Sequence, residues 1–402
     1  MKKHIVRGNP YFSDITKPKT SYPILDEDIT TDVLIVGGGI TGLLCAYYFN
    51  KNNVNTTIVE KNRLAMGSTS ITTSLLQYEL DELLSDIEKK IPLKTLIDGY
   101  KLGTCGLEEI QNIVSELDID CDLKLRNCLL YTDDKKTVPK LEYEYKIRKD
   151  NKFPVEFLNK DDKTRFEFPM KAGLLSIGGG LELNPVKLAY GLANNLSKSG
   201  VKIFEKTEVF EVNHLNECVI VKACENTITC KKLIVATGYD ISLFTKEKFC
   251  TLYTTYNIVT KPIKENFSWE DHCLIRTTED PYIYLRTTPD NRIIIGGEDT
   301  RFIPEVLENS VAELRYNKLE KRLHEMFPNI NFNVEFKYNG LFGATNDNLP
   351  YIGPDPKNKN IWYCLGYGAN GILFSTVGSK ILSDLYLGKL DERISLIQVT
   401  RK

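Results

Sequence analysis

The sequence predicts an α/β protein, in which a doubly wound nucleotide-binding domain is interrupted by an inserted antiparallel β-sheet domain. Three observations carry this. A βαβ unit with a glycine-rich turn occupies residues 32–60, a strand-rich stretch fills residues 250–300, and βα character returns near the C-terminus. Strands buried on both faces read as unbroken apolar runs, and crossover helices join them in parallel. A nucleotide-binding pattern that resumes after a β-rich middle implies a discontinuous domain.

The first unit runs Asp32-Val33-Leu34-Ile35-Val36-Gly37-Gly38-Gly39-Ile40-Thr41-Gly42. Val33 to Val36 is a buried strand and Leu43 to Asn50 a helix. Gly37 allows the tight turn, Gly39 lets a pyrophosphate approach the backbone, and Gly42 lets the helix pack close to the strand. The helix N-terminus then points unpaired N–H groups at the phosphates. A second strand, Thr56 to Val59, ends in Glu60, followed by Lys61. Glu60 stands roughly 20 residues on, where an acid binds the ribose hydroxyls of an adenine nucleotide. Its charge disfavours NADP, and leaves FAD and NAD open.

Residues 1–30 read as an extended arm. Gly67-Ser68-Thr69-Ser70 is a small-residue loop. From Glu79 to Leu117 the pattern is helical with a break at Pro92, apolar residues recurring at Leu80, Leu83, Leu84 and Ile87 and again at Leu107, Ile110, Ile113, Val114 and Leu117. Cys128 to Thr132 is a strand. Lys140 to Asp150 is a charged helix whose exposed face reads as solvated surface. Gly178-Gly179-Gly180 makes a turn. Asn184 then caps a helix that Pro185 opens and that runs to Lys198.

Val201 to Glu205 and Val209 to Val212 are strands, Val219 to Ala223 and Thr227 to Cys230 a hairpin, and Lys232 to Ala236 a buried strand ending in Thr237-Gly238. Alternation marks strands at Thr254 to Thr260, Tyr282 to Arg286 and Arg292 to Ile295. Val306 to Met326 is an amphipathic helix. A turn over Asn346 to Pro356, a strand over Trp362 to Gly366 and a helix from Gly371 to Leu387 close the chain. The boundaries this implies are 1–98, 151–248 and 336–402 for the nucleotide-binding domain, and 99–150 with 249–335 for the substrate domain.

Composition excludes other classes. The chain has 402 residues, 42% of them hydrophobic and 26% charged, and a net charge of −2 gives no electrostatic reason for nucleic acid or an anionic membrane surface. No apolar run approaches the roughly 20 residues of a membrane span, and no secretory signal is visible, so the cytoplasm is the expected location. The ten cysteines include no C-x-x-C, and the four histidines (His4, His214, His272, His324) have no ligand-spaced neighbour, so no metal site is expected. No Gly-x-Ser-x-Gly elbow points to a hydrolase.

Five segments together carry a family resemblance: Val36 to Gly42, Glu60 with Gly67 to Ser70, Ile234-Val235-Ala236-Thr237-Gly238, Thr345-Asn346-Asp347-Asn348-Leu349-Pro350-Tyr351-Ile352-Gly353, and Leu365-Gly366-Tyr367-Gly368-Ala369-Asn370-Gly371-Ile372. In this order the chain resembles the FAD-dependent oxidoreductases of the D-amino acid oxidase, glycine oxidase and sarcosine oxidase superfamily over about residues 30–400. Thr278 to Arg286 with Gly296 to Asp299 resembles a less characterised branch, some members of which carry a C-terminal Rieske domain; no such domain is expected here.

The resemblance implies FAD held by Gly37, Gly39, Ile40, Thr41, Gly42, Glu60 and Lys61, with Gly67, Ser68 and Thr69 beside the pyrophosphate and flavin. It implies that Val209 meets the adenine through its backbone, and that Thr237, Gly238, Gly343, Gly368, Asn370, Gly371 and Ile372 complete the site. A helix N-terminus after Gly371 would favour the negative charge of reduced flavin.

Two departures from the family pattern stand in Gly340-Leu341-Phe342-Gly343-Ala344-Thr345. It has no cysteine to link flavin covalently, so FAD is expected to be non-covalent. Phe342 stands where glycine oxidase-like members carry a carboxylate-binding arginine, and a benzyl group cannot replace a guanidinium fork.

On the strand Tyr282 to Arg286, alternation puts Tyr282, Tyr284 and Arg286 on one face, which suits an amine or carboxylate ligand. Arg286 is the expected replacement arginine, with Arg276 and Lys261 behind it. Tyr256 is a further candidate for the pocket and more simply a packed tyrosine. Glu298 and Asp299 read as a turn rather than a catalytic pair, and Gln77-Tyr78-Glu79 as a helix start with a chance of facing the site.

The expected function is oxidation of a C–N bond in a small amine or amino acid, by hydride transfer to flavin and hydrolysis of the imine. A hydroxy-acid or alcohol dehydrogenase and a non-catalytic, partner-dependent flavoprotein are the alternatives. Oxygen, a quinone and an electron carrier all stand open as electron acceptor.

Overall fold

The computed structural model describes all residues except 1–5, 160–161, 163–164, 167, 265–268, 304–308, 369 and 402. Two sheets organise them. In the first, strands Ile361–Leu365, Asn226–Val235, Ile29–Val36, Thr56–Val59 and Lys202–Phe204 lie parallel in that order, with Val36 level with both Val59 and Val235. Their residues are apolar on both faces because both faces are covered. Helices Ile40–Lys51, Leu93–Glu116, Pro185–Lys198 and Gly371–Tyr386 pack on one face in the largest apolar cluster. The meander Val209–His214, Val219–Ala223 and the first half of Asn226–Val235 closes the other. Short antiparallel strand Tyr351–Pro354 edges the sheet.

The second sheet has ten mostly antiparallel strands, running in order Val6–Gly8, Val334–Ala344, Thr251–Thr260, Ile293–Arg301, Ile283–Thr287, Leu274–Thr277, Lys124–Thr132, Ala172–Glu182 and Leu75–Gln77, with Val155–Asn159 also on Ala172–Glu182. Strands Leu75–Gln77, Val155–Asn159 and Ala172–Glu182, which the sequence grouped with the nucleotide-binding segments, therefore pair into this sheet. Helix Asn309–Met326 packs Leu319 and Leu323 against Ile293 and Ile295 on its outer face.

Several elements differ from expectation for identifiable reasons. Asn184 caps its helix as read, accepting from the N–H groups of Val186 and Lys187. The hairpin strand at Thr227 and the buried strand at Lys232 are one continuous strand, Asn226–Val235, that changes partner along its length. Gly178 to Gly180 lie inside strand Ala172–Glu182 rather than in a turn, and Gly296 to Asp299 inside Ile293–Arg301. The N-terminal arm is tied down by Val6–Gly8 pairing and by helix Tyr11–Ile15. Residues Glu79 to Leu83 are not helical; helices begin at Leu84 and, after Pro92, at Leu93.

The charged helix, Val138–Asp150, holds the largest surprise. Glu144 and Arg148 on it are fully buried. Arg148 donates to Glu144, one helical turn away, and to Glu79 at 2.6 Å each. Tyr100 Oη and the Leu84 N–H also donate to Glu144. Burial alone would raise the Glu79 carboxyl, but Arg148, Arg276 and Ser176 overrule it and hold it below the usual carboxylate value. This network anchors the segment after Gln77 beneath the second sheet.

Candidate active site

The C-terminal ends of the parallel strands converge where open α/β sheets bind ligands. Val36, Val59 and Ala236 there border a cavity of about 560 Å³ that extends to the second sheet. Two helices, Ile40–Lys51 and Gly371–Tyr386, begin on its wall, linked by a 2.8 Å hydrogen bond between Thr41 Oγ1 and Ser375 Oγ. Neither starts with a side-chain cap. Of the first N–H groups, Ile40 N donates to Thr69 Oγ1. The positive ends of both helix dipoles therefore face the cavity.

Close packing sets the glycines. Gly37 has φ +116°, and a Cβ there would sit 2.4 Å from the Ala236 carbonyl oxygen. A Cβ on Gly42 would sit 1.9 Å from the Gly37 oxygen, so this glycine presses the helix onto the turn. At Gly39, by contrast, a Cβ would meet only Thr69 Oγ1, at 3.3 Å, and otherwise project into the cavity. Glu60 accepts from Gly38 N and Asn62 N, both at 2.8 Å. Burial pushes its carboxyl above the ordinary value while those two N–H groups pull it down.

Gly37, Gly39, Ile40, Thr41, Glu60, Lys61, Gly67, Ser68, Thr69, Val209, Thr237, Gly238, Gly368, Asn370, Gly371 and Ile372 all line this one cavity. Gly42 acts behind the wall, through helix packing. Gly343 also stands behind it, against Cys250, with its carbonyl accepting from Gly368 N at 2.9 Å. It positions the Gly368 loop rather than facing the cavity. An open glycine cradle, the Glu60 carboxylate on the wall and two helix N-termini fit an adenine dinucleotide.

The far end is built by the second sheet. Tyr282, Tyr284, Arg276, Thr255, Asp81 and Asp299 line it, with Gln77 and Phe342. The Tyr284 ring lies over Gly296 on the neighbouring strand, where a Cβ would come within 2.5 Å of the ring. Tyr284 Oη is 2.9 Å from Thr255 Oγ1. Burial, with Asp81 and Asp299 nearby, raises the Tyr282 hydroxyl well above its ordinary pKa, and burial does the same at Tyr284.

Arg286 shares a strand face with the two tyrosines but does not line the cavity. Its Nη1 donates to the carbonyls of Ser74 at 2.8 Å and Leu183 at 3.2 Å, under the ring of Phe12. The expectation that Arg286 replaces the missing carboxylate-binding arginine is therefore corrected. Arg276 is the arginine on the wall, but its Nη1 donates to the Leu80 and Asp81 carbonyls at 2.9 Å, and Nη2 reaches Glu79. Lys261 and Tyr256 do not line the cavity either; Tyr256 packs against Tyr316 and bonds Thr300. Gln77 faces the cavity, whereas Tyr78 stacks on Phe153 and Glu79 joins the buried network.

Asp299, read from the sequence as part of a turn, lies on a strand and lines the cavity. Glu298 beside it pairs with Arg315 and Lys318. Neither Asp299 carboxylate oxygen meets solvent or has a partner in full hydrogen-bond geometry among the described residues. Burial pushes its pKa up to about 6, with Asp81 and Glu298 adding to the rise and the hydroxyls of Thr255 and Tyr282 opposing it.

Comparison with known proteins agrees with this geometry. The family described as DAO, FAD dependent oxidoreductase, matches residues 32–385. The chain is 24% identical over 371 residues, 91% of its length and 70% of the relative's, to a Bacillus subtilis protein described as a Rieske 2Fe-2S iron-sulfur protein, YhfW. It is 23% identical over 395 residues to the Escherichia coli gamma-glutamylputrescine oxidoreductase, covering 94% of this chain and 88% of the relative. Glycine oxidase from Geobacillus kaustophilus superposes with a TM-score of 0.79 at 20% identity, over 93% of this chain and 99% of that structure. No described helix is long and apolar enough to cross a membrane.

Proposed function

This chain belongs to the DAO family of FAD-dependent oxidoreductases, and on that premise we propose that it oxidises a C–N bond of a small amine or amino acid. One observation carries the proposal: a single cavity joins the dinucleotide cradle at Gly37, Gly39 and Glu60 to an aromatic end at Tyr282 and Tyr284 that also holds carboxylates. Relatives named for a glycine and a gamma-glutamylputrescine substrate support an amino compound.

The glycine cradle with Glu60 would hold the ADP half of FAD, and the loop Gly67 to Thr69 with Gly368 to Ile372 would hold the flavin half. FAD, when bound, would supply the two-electron acceptor for the substrate's α-hydrogen, so that the substrate would leave as an imine and hydrolyse to a carbonyl compound and an amine or ammonia. The protein's share is placement and electrostatics. The N-terminus of helix Gly371–Tyr386 turns positive partial charge to the cavity and would favour a flavin carrying negative charge. Tyr282 and Tyr284 wall the substrate end and exclude water.

The test is anaerobic mixing of the FAD-loaded protein with amines, D- and L-amino acids, N-methyl amino acids and hydroxy acids, followed by the flavin absorbance. Bleaching by an amino compound is expected. Bleaching by hydroxy acids alone would replace this reading with the alcohol dehydrogenase one.

A further inference from the structure

Glycine oxidase-type recognition of a carboxylate needs a guanidinium fork with paired free donors, and Arg276, on the described cavity wall, keeps only its Nε without a partner. Phe342 occupies one wall position, and the Nη1 of Arg276 is spent on two carbonyls. The acids are more numerous. Beneath the wall, Glu79 and Glu144 balance Arg148 and Arg276. Asp81, 3.6 Å from Arg276, adds a third acid to those two cations. Asp299 then adds a negative charge that is in no ion pair with a described residue, both oxygens shielded from solvent and met by the neutral hydroxyls of Thr255 and Tyr282 at less than full hydrogen-bond geometry, in a side chain that lines the cavity. A buried carboxylate without a cation is costly unless a ligand answers it.

The backbone is bent to put it there. Between Thr254 and Tyr256, strand Thr251–Thr260 advances two residues while its neighbour advances three, from Gly297 to Thr300. This is a β-bulge, with Gly297 at φ +135° and Glu298 at φ +54°. Strict alternation would turn Asp299 to the same side as Ile293 and Ile295, toward helix Asn309–Met326. The extra residue reverses the order: Glu298 meets that helix and Asp299 enters the cavity.

We propose that Asp299 binds a second ammonium group of the substrate, which makes this enzyme selective for diamine- or polyamine-type cations over amines that carry a carboxylate. The proposal rests on the amine-oxidation reading above. The phenol rings of Tyr282 and Tyr284, 5.9 Å apart, give the cation aromatic faces beside the carboxylate. The cation also meets the field of Asp81, while Arg276 is held back by its own bonds.

Anaerobic flavin reduction by 1,4-diaminobutane, n-butylamine and 4-aminobutanoate tests this, since the three share one carbon skeleton length. The diamine is expected to exceed n-butylamine in kcat/KM about tenfold or more, as partly buried charge pairs do, with 4-aminobutanoate slowest. Asp299→Asn is expected to bring the diamine-to-monoamine ratio toward one, and Asp299→Glu to recover part of it. Should the variants fail to fold, the wild-type ratio read against pH serves instead. It falls as pH drops through the Asp299 titration near 6, in the field of Asp81 and Glu298 and beside the hydroxyls of Thr255 and Tyr282. Preference for the carboxylated amine, equal rates for diamine and monoamine, or a preference that persists in Asp299→Asn overturns the proposal while leaving amine oxidation standing. Reduction by hydroxy acids alone, or by none of these compounds, overturns both.

Discussion

A charge kept unpaired for a ligand has to weaken the fold, and Asp299→Asn measures by how much. The Asp299 carboxyl has a pKa of about 6 in the folded protein against an ordinary 3.8. The folded state thus binds the proton more tightly than the unfolded chain. Between those two pH values the folded state holds more protons, so stability falls as pH rises. Well below pH 3.8 both states are protonated and the residue costs nothing. Above about pH 6 both are ionised, and the full difference of some two pH units amounts to about 3 kcal/mol. Asparagine keeps the shape and removes the charge. Urea unfolding of FAD-saturated protein at equal FAD concentration should therefore show the variant more stable by about 3 kcal/mol at pH 8, the gain shrinking to a few tenths near pH 4. A variant less stable than wild type at pH 8, or a gain independent of pH, would refute the unpaired-carboxylate argument.

Gly39→Val should leave the fold standing, because its side chain enters open cavity, yet FAD should be lost on gel filtration; retained yellow colour would count against the cradle. Gly42→Val is the contrast, since its Cβ would overlap the Gly37 carbonyl and the whole turn must move; reduced soluble yield or a lowered melting temperature reads this. Arg286→Met should cost on the order of 3 kcal/mol of stability, from two buried hydrogen bonds to charged nitrogen, with KM for the substrate unchanged; a raised KM at unchanged stability would return Arg286 to the site. Acid precipitation should release flavin into the supernatant, and flavin retained in the pellet would disprove non-covalent binding.

Much of this was legible because local rules and global fold agreed. The Val33 to Val36 run, the glycine turn and Glu60 each require the others, so a short stretch specified a strand, a helix start and a nucleotide site together. Asn184 and Pro185 announced a helix by chemistry that acts within three residues. The buried network was not legible in the same way. Glu144 and Arg148 look like an ordinary i, i+4 surface pair on a helix rich in lysine and glutamate. What buries them is Glu79, sixty-nine residues from Arg148, and Arg276 on a different strand. Only tertiary structure brings three acids and two guanidinia together, and nothing local marks a charge whose partner is that distant.

The substrate end shows the same limit at the scale of one residue. Alternation correctly put Tyr282, Tyr284 and Arg286 on one face, but a face is longer than a cavity. Arg286 falls beyond the cavity's edge, where Phe12 and two carbonyls enclose it. On the neighbouring strand, the same period-two rule assigns Asp299 to the wrong face, because it assumes that no residue is inserted. The pair Gly296-Gly297 was the available signal: paired glycines inside an alternating strand mark a bulge or a close approach. Here they are both, Gly296 making room for the Tyr284 ring and Gly297 turning the backbone. Reading them as a turn ended the strand too early and left Asp299 in a loop. Reading them as a bulge keeps the strand and turns one carboxylate through the sheet, from the helix side to the cavity, where no described residue forms an ion pair with it.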